Sequence, residues 1–308
     1  MKEVREAIGE ALIELGTEDE RIVALDADLS KSTRTAKFGE KFPNRFFNMG
    51  ISEQDMVCTA AGLALAGFIP FVSTFALFAM GRAWEQLRNT VSRSNLNVKV
   101  TVSHAGVSPF GDGPSHQSFE DITCARVLPN FRVVVPADFD EAMQAMKWAA
   151  AVEGPVYLRM VRGASPTVSK GFEIGKAQVL KEGSDASILA CGPMVYRSLQ
   201  AAGMLEKEGI SAEVVNVSSI KPIDDKAVVA TAKKTGLVVT AEEHNTYGGL
   251  GGAVAEVLCE KHPTRLVRVG VKDRYGSSAR SESDVVKLLG LTELDIAAAV
   301  RKGLQNGG

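Results

Sequence analysis

GISEQDMVCTAAGLALAGFIPFVSTFALFAM, residues 50–80, decides how this chain folds. Gly50 and Ser52 precede a helix-like run, Glu53–Ala66, which Gly67 interrupts. Pro70–Val72 then opens a short apolar strand that passes through Ser73-Thr74-Phe75 toward a second helix-like run, Phe78–Thr90. Helical periodicity, a breaker, a compact apolar run and renewed helical periodicity are what a buried strand between two helices requires.

The same alternation extends in both directions. Further strands are expected at Ile22–Leu25, Val98–Val102, Arg132–Val135, Val156–Leu158, Ser187–Ala190, Ala212–Val215, Gly236–Thr240 and Leu266–Val269. Helices are expected at Val4–Leu15, Phe139–Ala151, Val195–Glu208, Asp224–Lys233, Gly251–Glu260 and Leu294–Gly303. Strands alternating with helices imply parallel sheets covered on both faces, an α/β fold. At 308 residues the chain exceeds one ordinary core. The stretch between Gly163 and Ser184 is rich in Gly, Ser, Pro and Lys and reads as a linker, so two doubly wound domains are expected, 1–170 and a smaller 171–308.

The composition excludes several classes of function. A net charge of −2 provides no field for a nucleic-acid backbone or an anionic membrane surface, so any anionic ligand needs a few local cations. Apolar runs such as Ala60–Val72 fall short of the ~20 residues of a membrane span, and Met1 leads into the charged Lys2-Glu3-Val4-Arg5-Glu6 rather than a signal peptide. Cys58, Cys124, Cys191 and Cys259 are widely separated, which suggests neither a zinc site nor a disulfide framework and fits a reduced, cytoplasmic setting.

Four segments carry candidate chemistry. In Asn48-Met49-Gly50-Ile51-Ser52-Glu53-Gln54-Asp55, Ser52 as N-cap with Asp55 three residues on approximates a capping box, and Glu53 would complement the helix dipole. Equally, Glu53 projects at a sheet edge, where a shielded carboxyl could share a proton with a heterocyclic nitrogen. Phe75 and Phe78 have core spacing, yet they flank the same edge and could stack on a flat ring. The densest segment runs from Ser103-His104-Ala105-Gly106 to Phe110-Gly111-Asp112-Gly113-Pro114-Ser115-His116-Gln117. It holds two of the four histidines on a loop too rich in Gly and Pro for regular structure. Arg162, after strand Val156–Leu158, is either a solvated charge or a guanidinium for a phosphate ester.

Two apparent motifs fail. Gly111-Asp112-Gly113 opens like a thiamine-diphosphate magnesium motif, but no Asn lies near Asp138–Glu141 to complete the oxygen ligands. Gly248-Gly249-Leu250-Gly251-Gly252 resembles a dinucleotide-binding turn, yet Val254 stands where the third glycine belongs. A tight strand-to-helix turn explains it better.

In order and spacing, GISEQ, the STF-x-x-F block, the H-x11-H loop ending in DGPSHQ and the R-G after strand Val156–Leu158 resemble the transketolase family. The run GPSHQ…LPNFRVVVPAD…GPVYLRMVRG is similar to its pyrimidine-binding domain, and Ala186–Gly308 to its C-terminal domain. The resemblance implies thiamine diphosphate as cofactor. Glu53 would bind N1′ of the aminopyrimidine and favour the tautomer whose 4′-nitrogen takes the thiazolium C2 proton. Phe78 would stack on the pyrimidine and Phe75 line the same pocket. His116 would contact the donor's hydroxyl, Asp112 read a substrate hydroxyl, and His104, Arg162, Arg5 and Ser32 hold the sugar phosphate.

The resemblance also implies a partner. The family's diphosphate-binding domain does not occur in these residues, and in this family the cofactor lies between the pyrimidine domain of one chain and the diphosphate domain of another. An N-terminal transketolase subunit is therefore expected, carrying the ligands for Mg2+ or Ca2+, in an α2β2 assembly acting on sugar phosphates. Gly81 stands where full-length transketolases tend to have a third aromatic. Two alternatives remain: a 1-deoxyxylulose-5-phosphate synthase-like or oxo-acid dehydrogenase beta-like subunit, and a non-catalytic regulatory subunit. Phe78 and DGPSHQ favour transketolase over the synthase, which tends to have arginine at the position of Phe78. Intact Glu53, His104, Asp112 and His116 argue against a regulatory role.

Overall fold

A computed structural model describes residues 1–305. Its strands in chain order are β1 (Ile22–Asp26), β2 (Phe46–Asn48), β3 (Ile69–Phe75), β4 (Lys99–Ser103), β5 (Arg132–Val134), β6 (Val156–Arg159), β7 (Gln178–Lys181), β8 (Ala186–Ala190), β9 (Ala212–Asn216), β10 (Ser219–Lys221), β11 (Leu237–Asn245) and β12 (Arg265–Val271). The α-helices are α1 (Glu6–Glu18), α2 (Ser30–Thr33), α3 (Ala36–Lys41), α4 (Glu53–Leu65), α5 (Ala76–Arg82), α6 (Trp84–Gln86), α7 (Asp121–Arg126), α8 (Phe139–Ala151), α9 (Met194–Glu206), α10 (Asp225–Thr235), α11 (Leu250–Lys261), α12 (Glu282–Leu289) and α13 (Glu293–Gln305).

Two α/β layers result, as the alternation implies. The first sheet runs β10-β5-β6-β4-β3-β1-β2 and the second β12-β11-β8-β9-β7. Pairing is parallel except at β10 against β5 and β7 against β9. All seven residues of β3 are buried, and so are all five of β1, β4, β8 and β9. That continuous burial is why these runs read as apolar without alternation. Helices α1 and α8 cover one face of the first sheet, where Ile8, Leu12, Phe71, Met146 and Leu158 form a core. On its other face a core runs from Met56, Val72 and Val100 into Val217, Val238 and Val254 of the second half. Val107 and Phe119, from the histidine-rich loop, pack with residues of the second half such as Ile188 and Val271. The loop is therefore held from both sides.

The structure departs from the expected elements where they are short or exposed. β2, β7 and β10 have three or four residues each, and β2 and β7 are only partly buried, so they leave little apolar signal. The expected helix Phe78–Thr90 is three pieces. α5 ends at Arg82, Ala83 departs from helical geometry (φ −105°, ψ 13°), and Leu87–Ser92 is wound as a π-helix after α6. No helix among the described residues is long and apolar enough to cross a membrane.

Candidate active site

Parallel register brings a row of strand ends to one edge. Asp26 of β1 stands beside Asn48 and Ser73, Phe75 beside Ser103, and Val102 beside Arg159. The segments leaving these carboxyl ends carry Glu53, Phe78, His104 and Arg162. The crevice outside such ends is where open α/β sheets take ligands.

Gly50 makes the turn into α4 with a left-handed φ of +69°. Ser52 follows in the N-cap position, but its side chain accepts no hydrogen bond from the first-turn amides, so the capping-box reading fails. The Glu53 carboxylate is 4% exposed and is engaged elsewhere. Its Oε1 accepts a hydrogen bond from Arg82 Nη1 at 2.9 Å. The Arg82 guanidinium carbon also lies 3.9 Å from the centre of the Phe78 ring.

From Phe78 the aromatic contacts continue inward. Phe75 and Phe78 lie 5.5 Å apart and within 19° of parallel, and the His104 ring stacks on Phe75 at 3.8 Å. His116 meets Phe75 and Phe78 edge-on, at 6.1 and 5.3 Å. A chain of contacts thus runs from a buried carboxylate through Arg82 and two phenyl rings to two imidazoles.

His104 is buried and has a φ of +57°, a left-handed backbone that costs a non-glycine residue free energy and recurs at functional sites. Its Nδ1 lies 2.8 Å from Ser103 Oγ. Burial, reinforced by Arg5, Arg162 and His116, pushes its pKa down to about 3. At neutral pH this ring is neutral: one nitrogen donates and the other accepts.

Arg5 is buried and donates from Nη1 to the Ser32 carbonyl at 3.0 Å and from Nε to Glu3 at 2.9 Å. Asp26 fixes the segment carrying Ser32 by accepting hydrogen bonds from Thr33 Oγ1 at 2.7 Å, from Thr35 Oγ1 at 2.9 Å and from the Leu29 amide. Arg162 is exposed, anchored by its amide to Ser108 Oγ at 3.1 Å, and its charge is felt at both Arg5 and His104. Arg5, Ser32, His104 and Arg162 therefore share one cationic corner. His116 is half-buried with Nδ1 2.9 Å from Ser115 Oγ, while Asp112 is exposed on the same loop. Gln117 Nε2 donates to the Ser277 carbonyl at 3.0 Å, and Gly113 (φ +77°) lies against Ser278, so the second half braces this loop.

Two family models cover the chain that carries these residues. The model described as Transketolase, pyrimidine binding domain matches residues 1–167, and Transketolase, C-terminal domain matches residues 175–296. The chain belongs to the transketolase family. It is similar to the putative transketolase C-terminal section of Methanocaldococcus jannaschii, 43% identical over 99% of this chain and 97% of that protein. It is 39% identical to a 6-deoxy-6-sulfo-D-fructose transketolase subunit of a Clostridium strain, covering 97% of this chain and 94% of that one. Among solved structures, a split gene transketolase described as an inactive beta4 tetramer matches at 51% identity with a TM-score of 0.91, covering 98% of both chains. The 1-deoxy-D-xylulose-5-phosphate synthases are more distant: that of Geobacter sulfurreducens is 36% identical, and this chain spans about half of its length.

Three features of this transketolase-family chain escape its motifs. Arg82 is one. The second is Arg159, fully buried, whose Nε donates to Asp121 Oδ2 at 2.7 Å and whose Nη2 donates to the Ser118 and Glu243 carbonyls at 3.2 and 2.9 Å. Tyr157 donates to the same carboxylate at 2.7 Å. Period-two alternation in Tyr157-Leu158-Arg159 puts the two donors on one face, a signal present in the sequence. The third is Glu242, which accepts from the Leu250 and Gly251 amides at 2.7 and 2.8 Å. The glycine-rich turn that mimics a dinucleotide site has its helix N-terminus filled by the chain's own carboxylate. Among the described residues no three His, Cys, Asp or Glu side chains converge as metal ligands.

Proposed function

We propose that this chain is the pyrimidine-side subunit of a two-subunit transketolase, moving a two-carbon ketol unit between sugar phosphates. The observation that carries this reading is the buried Glu53 carboxylate joined through Arg82 to the Phe78 ring, with His104 stacked on the neighbouring Phe75. The donor set fits an aminopyrimidine: the carboxylate is already satisfied by a planar, donor-rich cation stacked on Phe78, a stand-in for such a ring. Thiamine diphosphate, when bound, supplies the carbon–carbon chemistry. Glu53 would hold a proton against the ring nitrogen, Phe78 would fix the ring plane, and Phe75 would wall the pocket.

Arg5, Arg162, Ser32 and neutral His104 are suited to a phosphate ester, two guanidinium groups supplying charge and the rest supplying hydrogen bonds. His116 and Asp112, on the braced loop, would contact donor hydroxyls. Residues 1–170 would form the pyrimidine-binding domain and 171–308 the C-terminal domain. A partner subunit would supply the diphosphate-binding domain and the Mg2+ or Ca2+ ligands, in an α2β2 assembly in the cytoplasm. The near-complete overlap in length with split transketolase chains supports this division of labour.

Co-purification with a candidate N-terminal subunit, followed by a donor screen with thiamine diphosphate and magnesium, tests the reading. Ketol transfer by the mixture is expected. Decarboxylation of pyruvate in its place would favour the synthase alternative, and unchanged activity with Glu53→Ala would favour a regulatory subunit.

A further inference from the structure

The slot assigned to the aminopyrimidine is already engaged from within the chain. Arg82 closes α5, and its guanidinium donates to Glu53 Oε1 at 2.9 Å while lying 3.9 Å from the Phe78 ring centre. A hydrogen bond to the buried carboxylate and a face-on contact with this phenyl ring are the two interactions a flat nitrogen heterocycle would make there. At a stacking distance of 3.9 Å, the guanidinium leaves no room for a second ring on that face of Phe78.

The side chain borders solvent on one side. Arg82 is 49% exposed, and Gln54 Nε2 holds its carbonyl oxygen at 3.1 Å, leaving the side chain to rotate while the backbone stays. Gly81 brings no side chain to the space beside it. Glu53, by contrast, is 4% exposed, and a carboxylate so enclosed needs a compensating donor.

We propose that Arg82 is an intramolecular competitor for the aminopyrimidine slot, holding Glu53 and Phe78 in place and leaving when the ring docks. This rests on the reading of that slot as the cofactor's. The guanidinium satisfies the buried carboxylate and keeps the slot from collapsing or taking up other cations. Its displacement sets back cofactor affinity by the strength of an ion pair and a cation–π contact made by a half-exposed guanidinium, roughly 3- to 30-fold. Lysine would keep the ion pair but lose the planar stack, so its effect should be intermediate.

The test is a thiamine diphosphate titration of the complex with the N-terminal partner, read by quenching of tryptophan fluorescence; Trp84 lies two residues from Arg82. Wild type, Arg82→Ala, Arg82→Gln and Arg82→Lys are compared, with thermal unfolding as a check on folding. The expected result is a Kd that falls roughly 3- to 30-fold in the Ala and Gln variants and by less in the Lys variant. A Kd unchanged or raised in both Ala and Gln variants overturns the competitor role, since Arg82 would then be idle or would hold the cofactor. A wild-type complex that takes up no thiamine diphosphate overturns the assignment of the slot itself.

Discussion

Replacing Arg159 by methionine should destabilise this chain more than almost any other single exchange at a charged position. The guanidinium is 2% exposed, and Asp121, its carboxylate partner, is fully enclosed. Burial alone would raise the Asp121 carboxyl, but the Arg159 charge and hydrogen bonds outweigh it and hold the group below the usual carboxylate range. After Arg159→Met, Asp121 keeps only the Tyr157 and Ser118 hydroxyls, at 2.7 and 3.1 Å, and the Ser118 and Glu243 carbonyls lose a shared donor. Breaking one side of a buried ion pair costs about 3–5 kcal/mol. Urea unfolding of the wild type, Arg159→Met and Arg159→Met/Asp121→Asn measures it. The double variant should be more stable than the single one, because no uncompensated buried charge remains. A single variant within about 1 kcal/mol of wild type, or a double variant less stable than the single, would refute the reasoning.

Three further outcomes follow from the same physical picture. The His104 ring, held near pKa 3 by burial and the neighbouring arginines, should show no imidazole titration by NMR between pH 5 and 8 in samples of intact fold; a midpoint near the usual histidine value of about 6.5 would contradict it. Lys99 is fully buried, donates to the Val152 and Gly154 carbonyls at 2.6 and 2.7 Å, and burial pushes its ammonium down to about 7. The unfolded chain, with a lysine value of about 10.4, then binds more protons between these values. The stability advantage of wild type over Lys99→Met should accordingly grow from pH 7 to 9, and a flat or shrinking difference would contradict the account. Gly113→Ala forces a left-handed residue and a methyl against Ser278, and should cost at least about 1 kcal/mol in thermal unfolding while loosening the DGPSHQ loop in hydrogen exchange.

The sequence makes the layers of this fold legible because strands such as β3 and β4 are buried on both faces and leave unbroken apolar runs. It hides β2, β7 and β10 because short or edge strands need few apolar residues. The site divides in the same way. Glu53, Phe75, Phe78, His104 and His116 sit in compact local motifs at strand ends, and the fold places them in one chain of contacts. Arg82 falls inside the expected helix Phe78–Thr90 with nothing local to mark it, since its partner lies 29 residues away and only folding brings the two together. Arg159 and Arg162 fall in one short run, VYLRMVRG, yet one lies within the sheet and the other stands in solvent. Arg159 is the last residue of β6, and Arg162 lies three residues beyond the strand end. Ser52 shows the converse limit: the capping pattern is present and the cap bond is not made.

The rate of deuterium exchange at C2 of thiamine diphosphate, followed by NMR in the reconstituted complex with Glu53 and with Glu53→Gln, tests the assignment of Glu53 most directly. Fast exchange in the wild type and a loss of about 100-fold or more in the variant, with cofactor still bound, is the predicted result. Equal exchange in the two complexes would place the proton chemistry elsewhere and contradict the account.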